Sequence, residues 1–490
     1  MSFAAPVFLW YFLPAVLLIS WILPQRARNG VLAVSSLLFY AAGGKEFLFL
    51  LLALMAVNYA AGLAIGALQA RPSERVSVGL FGRLPSAHTV LVCTVALDLA
   101  VLAGWKYLGF ASNVTHSIAS ALGVQHSPVL DIALPIGISF FTFHHLSYVV
   151  DVYRAARPPM RNPLTFATYI AMFPQLIAGP IVRYHEIADQ LNNQNHPRLV
   201  DFCEGFPRFA WGLFKKVVIA DALAPLADAA FASSDPSFAT AWVGAIAYAG
   251  QIYFDFSGYS DMAIGLAMMF GLRLPENFRR PYSAASVTDF WRRWHMSLSR
   301  WFRDYLYVSL GGNRHGSVAT YRNLVIVFMA TGLWHGAAWT FVLWGAYHGA
   351  LLIIERATGL AAATRLVPLR RAVTFVLVLF GWVLFRAESL SAAGRMMKAM
   401  LLPEGLHEPG FGVSFELAAQ LNLHHLLLLA LVLASALLPG WWVVGRLMDG
   451  LDGVGTRTRV AAKAVALTAA PYAGVVAVAG TFSPFLYFQF

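Results

Sequence analysis

The amino-acid sequence predicts an all-α protein that crosses a membrane several times. Hydrophobic residues make up 59% of the 490 residues and charged residues only 12%, and the mean hydropathy is +0.63. A soluble globule of this composition would expose far too much apolar surface. Apolar runs recur along the chain, and basic residues collect in the short connections between them. These observations together indicate a polytopic membrane protein.

The apolar runs are the candidate membrane helices. In chain order they cover residues 7–23, 31–42, 47–68, 89–102, 132–150, 238–254, 324–354, 372–385, 426–438 and 464–479. Several runs are shorter than the roughly 20 residues that a straight span needs. We therefore expect tilted, broken or re-entrant helices among them.

The formal net charge of +11 is interpreted as membrane anchoring, because the arginines flank apolar runs. No nucleic-acid partner is expected. Alternate connections are basic: they carry Arg26 and Arg28, then Arg71, Arg75 and Arg83, then Arg154, Arg157 and Arg161. The positive-inside rule places these connections in the cytoplasm and the N-terminus outside.

A single integral-membrane domain over residues 1–490 is expected, since no linker, low-complexity block or internal repeat interrupts the sequence. Its amphipathic, cavity-lining core is predicted at roughly residues 201–355, where aromatic and charged residues mix. The first segment lacks a basic n-region, which favours a retained span over a signal peptide. Cys93 and Cys203 form no CxxC motif, so no disulfide framework or metal centre is predicted.

His295 lies in a stretch with helical periodicity. The apolar and aromatic positions are Trp291, Trp294, Leu298, Trp301, Phe302 and Tyr305. This spacing predicts an amphipathic helix over residues 291–305, with His295 on its aromatic face. On periodicity alone, the favoured interpretation is an interfacial helix in which His295 only hydrogen-bonds a neighbour.

His335 lies in a segment, residues 323–354, that contains no Asp, Glu, Lys or Arg and is long enough to cross a bilayer. It stands between Gly332 and Gly336, and Gly345 and Gly349 repeat this spacing, so close helix packing around a bonded histidine is one interpretation. The functional interpretation is a buried neutral imidazole that takes a proton from an alcohol.

An acyl-transfer site must also stabilise an oxyanion, for which Trp294, His295 and backbone groups are candidates. Asp255 and Asp261 interrupt another apolar stretch, and carboxylates at membrane depth need a partner. A structural ion network with Arg303 or Arg292 is favoured over a catalytic role or a proton path.

Two further patterns have simpler interpretations. The residues of the pairs His144–His145 and His424–His425 are adjacent on the chain, so their side chains diverge by about 100° on a helix and do not readily bind one ion. Each is interpreted as a polar or interfacial histidine. The glycine-rich residues 311–316 lack the lysine of a phosphate-binding loop, and they are interpreted first as a turn and second as a loop that touches a cytoplasmic donor.

Several motifs in this order resemble the membrane-bound O-acyltransferase (MBOAT) family, and its bacterial alginate O-acetyltransferase branch most closely. They are FPQLIAGPIVR at 173–183, YFDFSGYSDMAIG at 253–265, DFWRRWHMSLS at 289–299, RDYLY at 303–307, GGNR at 311–314 and GLWHG at 332–336. The resemblance covers nearly the whole chain. The amino-acid sequence at 259–263 and 311–314 favours this branch over the sister branch that passes D-alanine toward lipoteichoic acid.

The resemblance implies a ring of helices around a thin, funnel-shaped channel. It also implies that His335 matches the essential histidine of the family and His295 the second histidine of this branch, which replaces the interfacial interpretation of His295. Other substrate or channel candidates are Trp291, Trp294, Trp334, Arg292, Arg293, Arg303, Asp304, Asn313, Arg314, Asp255 and Asp261. No metal and no bound cofactor are expected.

By the same resemblance, cytoplasmic acetyl-CoA or another acyl thioester is the donor. The acyl group would cross the bacterial inner membrane to a periplasmic partner of the SGNH-hydrolase-like acetyltransferase type, which modifies an exopolysaccharide. His335 would be the general base or orient the acceptor, and His295 would position or polarise the thioester. Arg292, Arg293 and Arg314 would bind the anionic part of the donor.

Some residues of this chain depart from the pattern of the branch. The His144–His145 pair is more basic than the branch would lead us to expect, which implies a different channel lining. Tyr487 lies in an aromatic C-terminus that also resembles the branch. It is interpreted first as an interfacial anchor and second as an acyl carrier.

The rival functions are D-alanyl or other acyl transfer to a cell-envelope polymer, a transporter of a polysaccharide precursor with Asp255, Asp261 and His335 as coupling groups, and a scaffold for a soluble acetyltransferase.

Overall fold

A computed structural model describes residues 2–70, 86–123, 129–363, 365–405, 412–438, 456–480 and 485–486. All regular secondary structure in these ranges is helical, and they contain no strand. The prediction of an all-α protein is therefore confirmed. Arg71, Arg75, Arg83 and Tyr487 lie outside the described residues.

Nine α-helices lie within the described part of residues 1–214. They are α1 Leu13–Ile22, α2 Arg28–Gly44, α3 Leu48–Ala70, α4 Ala87–Ala121, α5 Ile138–Tyr153, α6 Pro163–Ala171, α7 Phe173–Leu176, α8 Tyr184–Asn192 and α9 Arg198–Phe214. A π-helical turn, Phe8–Phe12, precedes α1.

The later helices begin after a second π-helical turn, Lys215–Ala220. They are α10 Asp221–Ala232, α11 Phe238–Met269, α12 Val287–Trp291, α13 Met296–Trp301, α14 Gly316–His335, α15 Trp339–Thr358, α16 Val367–Arg386, α17 Leu390–Leu401, α18 Phe415–Gln420, α19 Leu423–Leu437 and α20 Thr456–Ala479.

Four described helical segments are long and apolar enough to cross a membrane. They are Gln25–Ala70, Ala87–Ala121, Val367–Arg386 and Arg459–Ala479. Phe8–Ile22 and Leu423–Leu437 are apolar but shorter. These segments agree with the predicted multi-pass membrane protein. Every predicted apolar run overlaps a helix, but α5 begins only at Ile138 within the run 132–150, and the run 324–354 forms two helices, α14 and α15.

The chain forms two compact units. The first comprises residues 6–206 and 263–275, and the second comprises 2–5, 207–262 and 276–490. The single domain expected over residues 1–490 stays a prediction.

In the first unit, α3, α4 and α5 pack against one another, and α2 packs against α6. A fully buried Asn58 on α3 donates a 2.9 Å hydrogen bond to Asp98 on α4. Arg28 is buried as well, and its guanidinium donates to the carbonyl oxygens of Gln190 and Asn193. This arginine, expected to anchor lipid headgroups, instead satisfies carbonyl groups at the end of α8.

The second unit is built around α14, α15 and α16, with the short α12 packed on α15. Side-chain caps explain where its short helices begin: Ser286 accepts a hydrogen bond from the amide of Asp289 at the start of α12, and Asn422 accepts one from His425 at the start of α19. Glu355, on α15, accepts from the amides of Val287 and Thr288. These bonds fix α12 against α15.

Candidate active site

His295 lies at a break between two short helices, so the continuous helix predicted over residues 291–305 is wrong. α12 ends at Trp291 and α13 begins at Met296. His295 has φ 44° and ψ 54°, in the left-handed region that side chains rarely adopt. The side chain is fully buried.

Asn277 stabilises this break. Its side-chain oxygen accepts hydrogen bonds from the Ser297 amide at 3.2 Å and the Ser297 hydroxyl at 2.9 Å, and its own carbonyl accepts one from the Met296 amide. Its side-chain nitrogen donates to Ser260 on α11 at 3.0 Å. Asn277 was missed by sequence reasoning, because an isolated asparagine in a loop belongs to no periodic pattern.

The tautomer of His295 follows from the same asparagine. His295 Nδ1 lies 3.0 Å from Asn277 Oδ1. The Ser297 amide can only donate, so the Asn277 atom that it meets is the acceptor oxygen, and His295 Nδ1 must carry the hydrogen. The lone pair is then on Nε2. Burial lowers the pKa of His295 to about 3, because it disfavours the charged form, and the ring is neutral at physiological pH.

His335 is the last residue of α14, not an internal residue of one long span. The chain is extended at Gly336 and re-enters a helix at Trp339. His335 is only 4% exposed. The C-terminal end of a helix carries partial negative charge, which stabilises a positive charge on an imidazole placed there. The position therefore suits a group that takes up a proton.

Two glycines bring α14 and α15 into backbone contact, as the predicted close helix packing requires. A Cβ atom on Gly332 would collide with the carbonyl oxygen of Phe341 and lie 3.2 Å from Cα of Gly345. A Cβ atom on Gly345 would in turn collide with the carbonyl oxygen of Phe328. The close approach fixes the end of α14, and hence His335, against α15.

Trp334 brings the two histidines together. Its ring centroid lies 6.2 Å from that of His295 and 4.9 Å from that of His335. All three side chains are buried. The structure therefore places two histidines that are 40 residues apart in sequence on one tryptophan.

Aromatic rings surround His335. Its ring centroid lies 5.1 Å from Trp344 and 5.2 Å from Phe385. Trp344 also contacts a third buried histidine, His348, at 5.0 Å, and Trp291 Nε1 donates to His348 Nδ1 at 3.4 Å. His348 was missed by sequence reasoning. His348 could have been found from its position in the sequence, one helical turn after Trp344.

The carboxylates of α11 form the predicted ion network, but their partners are not the predicted arginines. Asp261 pairs with Lys215 at 2.6 Å and with Arg208 at 3.0 Å, and Asp255 pairs with Lys216 at 2.9 Å. The assignment of Arg303 or Arg292 as their partners is wrong, because the buried basic residues come from α9 and the π-helical turn that follows it. The backbone amide of Leu486 also donates to Asp255.

The remaining candidates do not gather at the histidines. Trp294 is 1% exposed and packs on Trp382 and Phe278 in an aromatic core. Arg293 is paired with Asp289, and Arg303 with Asp304. Arg292, Arg303, Asn313 and Arg314 are exposed, and Asn313 and Arg314 lie in the turn that precedes α14.

The glycine-rich residues 311–316 form the predicted turn. Its conformation is fixed by Asn323, whose side chain donates to the carbonyl oxygens of Leu310 and Gly312. Gly311 and Gly312 have positive φ, which explains why glycine is present at both positions.

The family membership of the chain is shown by comparison with known proteins. A sequence model of the membrane-bound O-acyltransferase family, MBOAT, matches residues 85–392. The chain belongs to the MBOAT family. It is accordingly an O-acyltransferase and a multi-pass membrane protein. The matched range includes all of α4 to α16 and both histidines that contact Trp334.

Relatives within the MBOAT family carry several names. A probable alginate O-acetylase of Azotobacter vinelandii is 49% identical over 82% of this chain and 78% of its own length. A peptidoglycan O-acetyltransferase of Helicobacter pylori is 37% identical over 81% of this chain and 79% of its own length. A teichoic acid D-alanyltransferase of Bacillus subtilis is 28% identical over 46% of this chain and 60% of its own length.

Within the ranges that the structure describes, no three side chains of His, Cys, Asp or Glu are grouped so as to bind a metal ion. His144 and His145 are fully buried on α5, whereas His424 is exposed. Interfacial histidines were one interpretation of the first pair, and full burial contradicts it.

Proposed function

We propose that this protein takes acetyl groups from cytoplasmic acetyl-CoA and passes them across the bacterial inner membrane. A periplasmic partner of the SGNH-hydrolase-like type would then O-acetylate an exopolysaccharide of the alginate type. The names of the more similar relatives support acetyl transfer over D-alanyl transfer. The proposal includes a periplasmic N-terminus and a channel through which donor and acceptor meet, so that neither has to cross the membrane.

The contact of His295 and His335 with Trp334 carries the proposal. Two buried imidazoles in one aromatic setting offer hydrogen-bond acceptors in a region of low dielectric constant, where hydrogen bonds are stronger than in water. We assign His335 as the general base, or as the group that orients the acyl acceptor. Its place at the end of α14 favours the positive charge that forms when it takes the proton.

The bond from His295 to Asn277 supports a positioning role for His295. With hydrogen on Nδ1, the outer nitrogen Nε2 accepts hydrogen bonds and cannot donate one to a thioester carbonyl. His295 Nε2 would therefore accept a hydrogen bond from a hydroxyl or amide group of a substrate. Of the two roles expected for this residue, positioning is better supported than polarisation of the thioester.

For the anionic part of the donor we assign Arg314. Arg293 is engaged by Asp289 at 2.8 Å, and Arg292 lines a separate cavity. Arg314 is exposed beside Asn313 in the turn before α14. A guanidinium in that setting can bind a phosphate of acetyl-CoA through paired hydrogen bonds.

The test is transfer of radiolabelled acetyl from acetyl-CoA by the purified protein in lipid nanodiscs, with the periplasmic partner and polymer added. We compare the wild type with His335→Gln and His295→Gln. His424→Gln is the matched control, since it makes the same chemical change at an exposed histidine.

Partner-dependent labelling that is lost in folded His335→Gln but kept in His424→Gln is the expected result. Equal labelling in His335→Gln would remove this residue from the chemistry and favour a scaffold. Ion-coupled uptake of a polysaccharide precursor without acetyl-CoA turnover would support the transporter. Supplying D-alanyl donors and peptidoglycan in place of acetyl-CoA and alginate tests the other acyl-transfer functions.

A further inference from the structure

A cavity of about 300 Å³ lies between α12, α13, α14 and α15 in the second unit. Its apolar wall includes Trp291, Phe302, Leu324, Phe328 and Leu352. The volume is at the lower end of the range of small-molecule binding sites. Thr331, one helical turn before His335 on α14, also lines it. The cavity thus adjoins the candidate active site.

Three of the four side-chain hydroxyl groups that line this cavity donate their hydrogens within the protein, and the fourth belongs to Tyr307. Thr288 donates to Glu355 at 2.8 Å, Ser299 to the carbonyl oxygen of Trp291 at 3.3 Å, and Thr331 to that of Val327 at 2.7 Å. The indole N–H of Trp291 is engaged by His348. A ligand with carbonyl groups would lose its hydrogen bonds with water and gain few here, which is costly. Hydrocarbon is the better occupant.

The cavity also has a cationic edge. Arg292 lines it and is exposed, and it forms no ion pair within the described residues. Arg303 lines it too, but its charge is balanced by Asp304 at 2.6 Å. Glu355, the carboxylate behind Thr288, is occupied by the amides at the start of α12. Arg292 therefore leaves one positive charge beside an apolar cavity.

The surface next to the cavity is apolar. Val325 and Ile326 stand between the cavity residues Leu324 and Val327 on α14, and they are 45% and 37% exposed. In a membrane protein, exposed apolar residues on a helix face the hydrocarbon. A lipid chain can thus reach the cavity from the adjoining bilayer.

We propose that the cavity binds one acyl chain of an anionic phospholipid whose phosphate lies on Arg292. The apolar wall selects hydrocarbon, and the unbalanced guanidinium favours a lipid with net negative charge over a zwitterionic one. The pantetheine arm of an acyl thioester fits less well, because its amides would find few hydrogen-bond partners in the largely apolar wall. This lipid site is distinct from the donor site and does not depend on it.

The test is native mass spectrometry of the full-length protein in detergent, titrated with dioleoyl phosphatidylglycerol or dioleoyl phosphatidylcholine. We expect one tightly held phosphatidylglycerol and weaker retention of phosphatidylcholine. Arg292→Gln should weaken phosphatidylglycerol binding about fivefold, as expected for one basic residue at a lipid headgroup. Arg322→Gln, an exposed arginine of α14 that does not line the cavity, should leave binding unchanged.

A second pair of variants tests the cavity itself. Leu324→Trp should fill it and reduce retention of phosphatidylglycerol, whereas Val325→Trp, one residue further along α14 and outside the cavity wall, should not. Equal binding of the two lipids, or unchanged binding in Arg292→Gln, would overturn the proposal. Displacement of the lipid by acetyl-CoA would overturn it also and assign the cavity to the donor. The measurement uses no acyl transfer, so its outcome is independent of the proposed activity.

Discussion

His295 and Asn277 share a hydrogen bond of 3.0 Å that determines which ring nitrogen carries the proton. The same asparagine binds the first turn of α13 through Ser297 and α11 through Ser260. One buried amide therefore links the conformation of the break before α13 to the protonation of the histidine.

Replacing Asn277 should change activity through His295. Asn277→Asp keeps an acceptor for Nδ1 but adds a negative charge, which stabilises the imidazolium and raises the pKa of His295 from about 3. The protonated ring has no lone pair on Nε2, so activity should fall as the pH is lowered through the raised pKa. The pH profile of acetyl transfer is the measurement.

The wild type should show no loss from His295 between pH 5 and 8, since its ring is already neutral there. Asn277→Leu, which removes the acceptor without adding charge, should lower activity by up to about 100-fold with no shift of the acid limb. An identical pH profile in wild type and Asn277→Asp would show that His295 takes no part in the reaction.

His335→Gln should reduce acetyl transfer by about 10²–10⁴-fold, the usual effect of losing a general base. His348→Gln is the informative comparison, because His348 is equally buried but contacts Trp344 and Trp291 instead of Trp334. We expect a smaller loss there. A thermal melt in detergent checks that both variants fold, and equal losses in folded protein would contradict the assignment of His335.

The buried ion network around Asp261 should matter for stability. Asp261→Asn removes the carboxylate that pairs with Lys215 and one of the two that pair with Arg208, and leaving the buried charge of Lys215 unbalanced costs about 3–5 kcal/mol. The measurement is the thermal unfolding midpoint in detergent. Asp189→Asn is the matched control, because its partner Arg157 and Asp189 itself have side chains that are 39% and 72% exposed. That change should cost less than about 1 kcal/mol.

The contact between α14 and α15 should tolerate no additional methyl group. Gly332→Ala is expected to destabilise the protein by about 1–3 kcal/mol and to displace His335, because the new Cβ collides with the Phe341 carbonyl oxygen. Gly394→Ala, in α17 with open space around it, should instead stabilise its helix by about 0.5–1 kcal/mol. Similar melting points and activities in the two variants would argue against the close approach.

Much of the helical architecture could be predicted from composition and apolar runs, because a membrane protein must bury its backbone polar groups in helices. The two histidines were identified from motifs, and the need for partners of Asp255 and Asp261 from the cost of buried charge. Each of these inferences depends on local sequence or on a general energetic rule.

The missed features depend on contacts between distant residues. Periodicity favoured one helix through His295, and the structure breaks it because Asn277 satisfies the backbone of the interruption. Lys215 and Lys216 lie more than 35 residues before the carboxylates that they neutralise, so no local pattern pairs them. His348 likewise contacts Trp291 across 57 residues.

The division of the apolar run 324–354 into two helices changes the number of membrane crossings assigned to the chain. Gly332 meets Gly345, and Phe328 meets Gly349, so α14 and α15 run in opposite directions and Thr358 lies near the end of the pair where Gly316 began. A hydropathy plot counts this run as one crossing, whereas a hairpin brings the chain back to the side from which it started. Reporter fusions placed after residue 358 should therefore report the same side as fusions placed before residue 316, and a map based on the single crossing would invert every loop that follows.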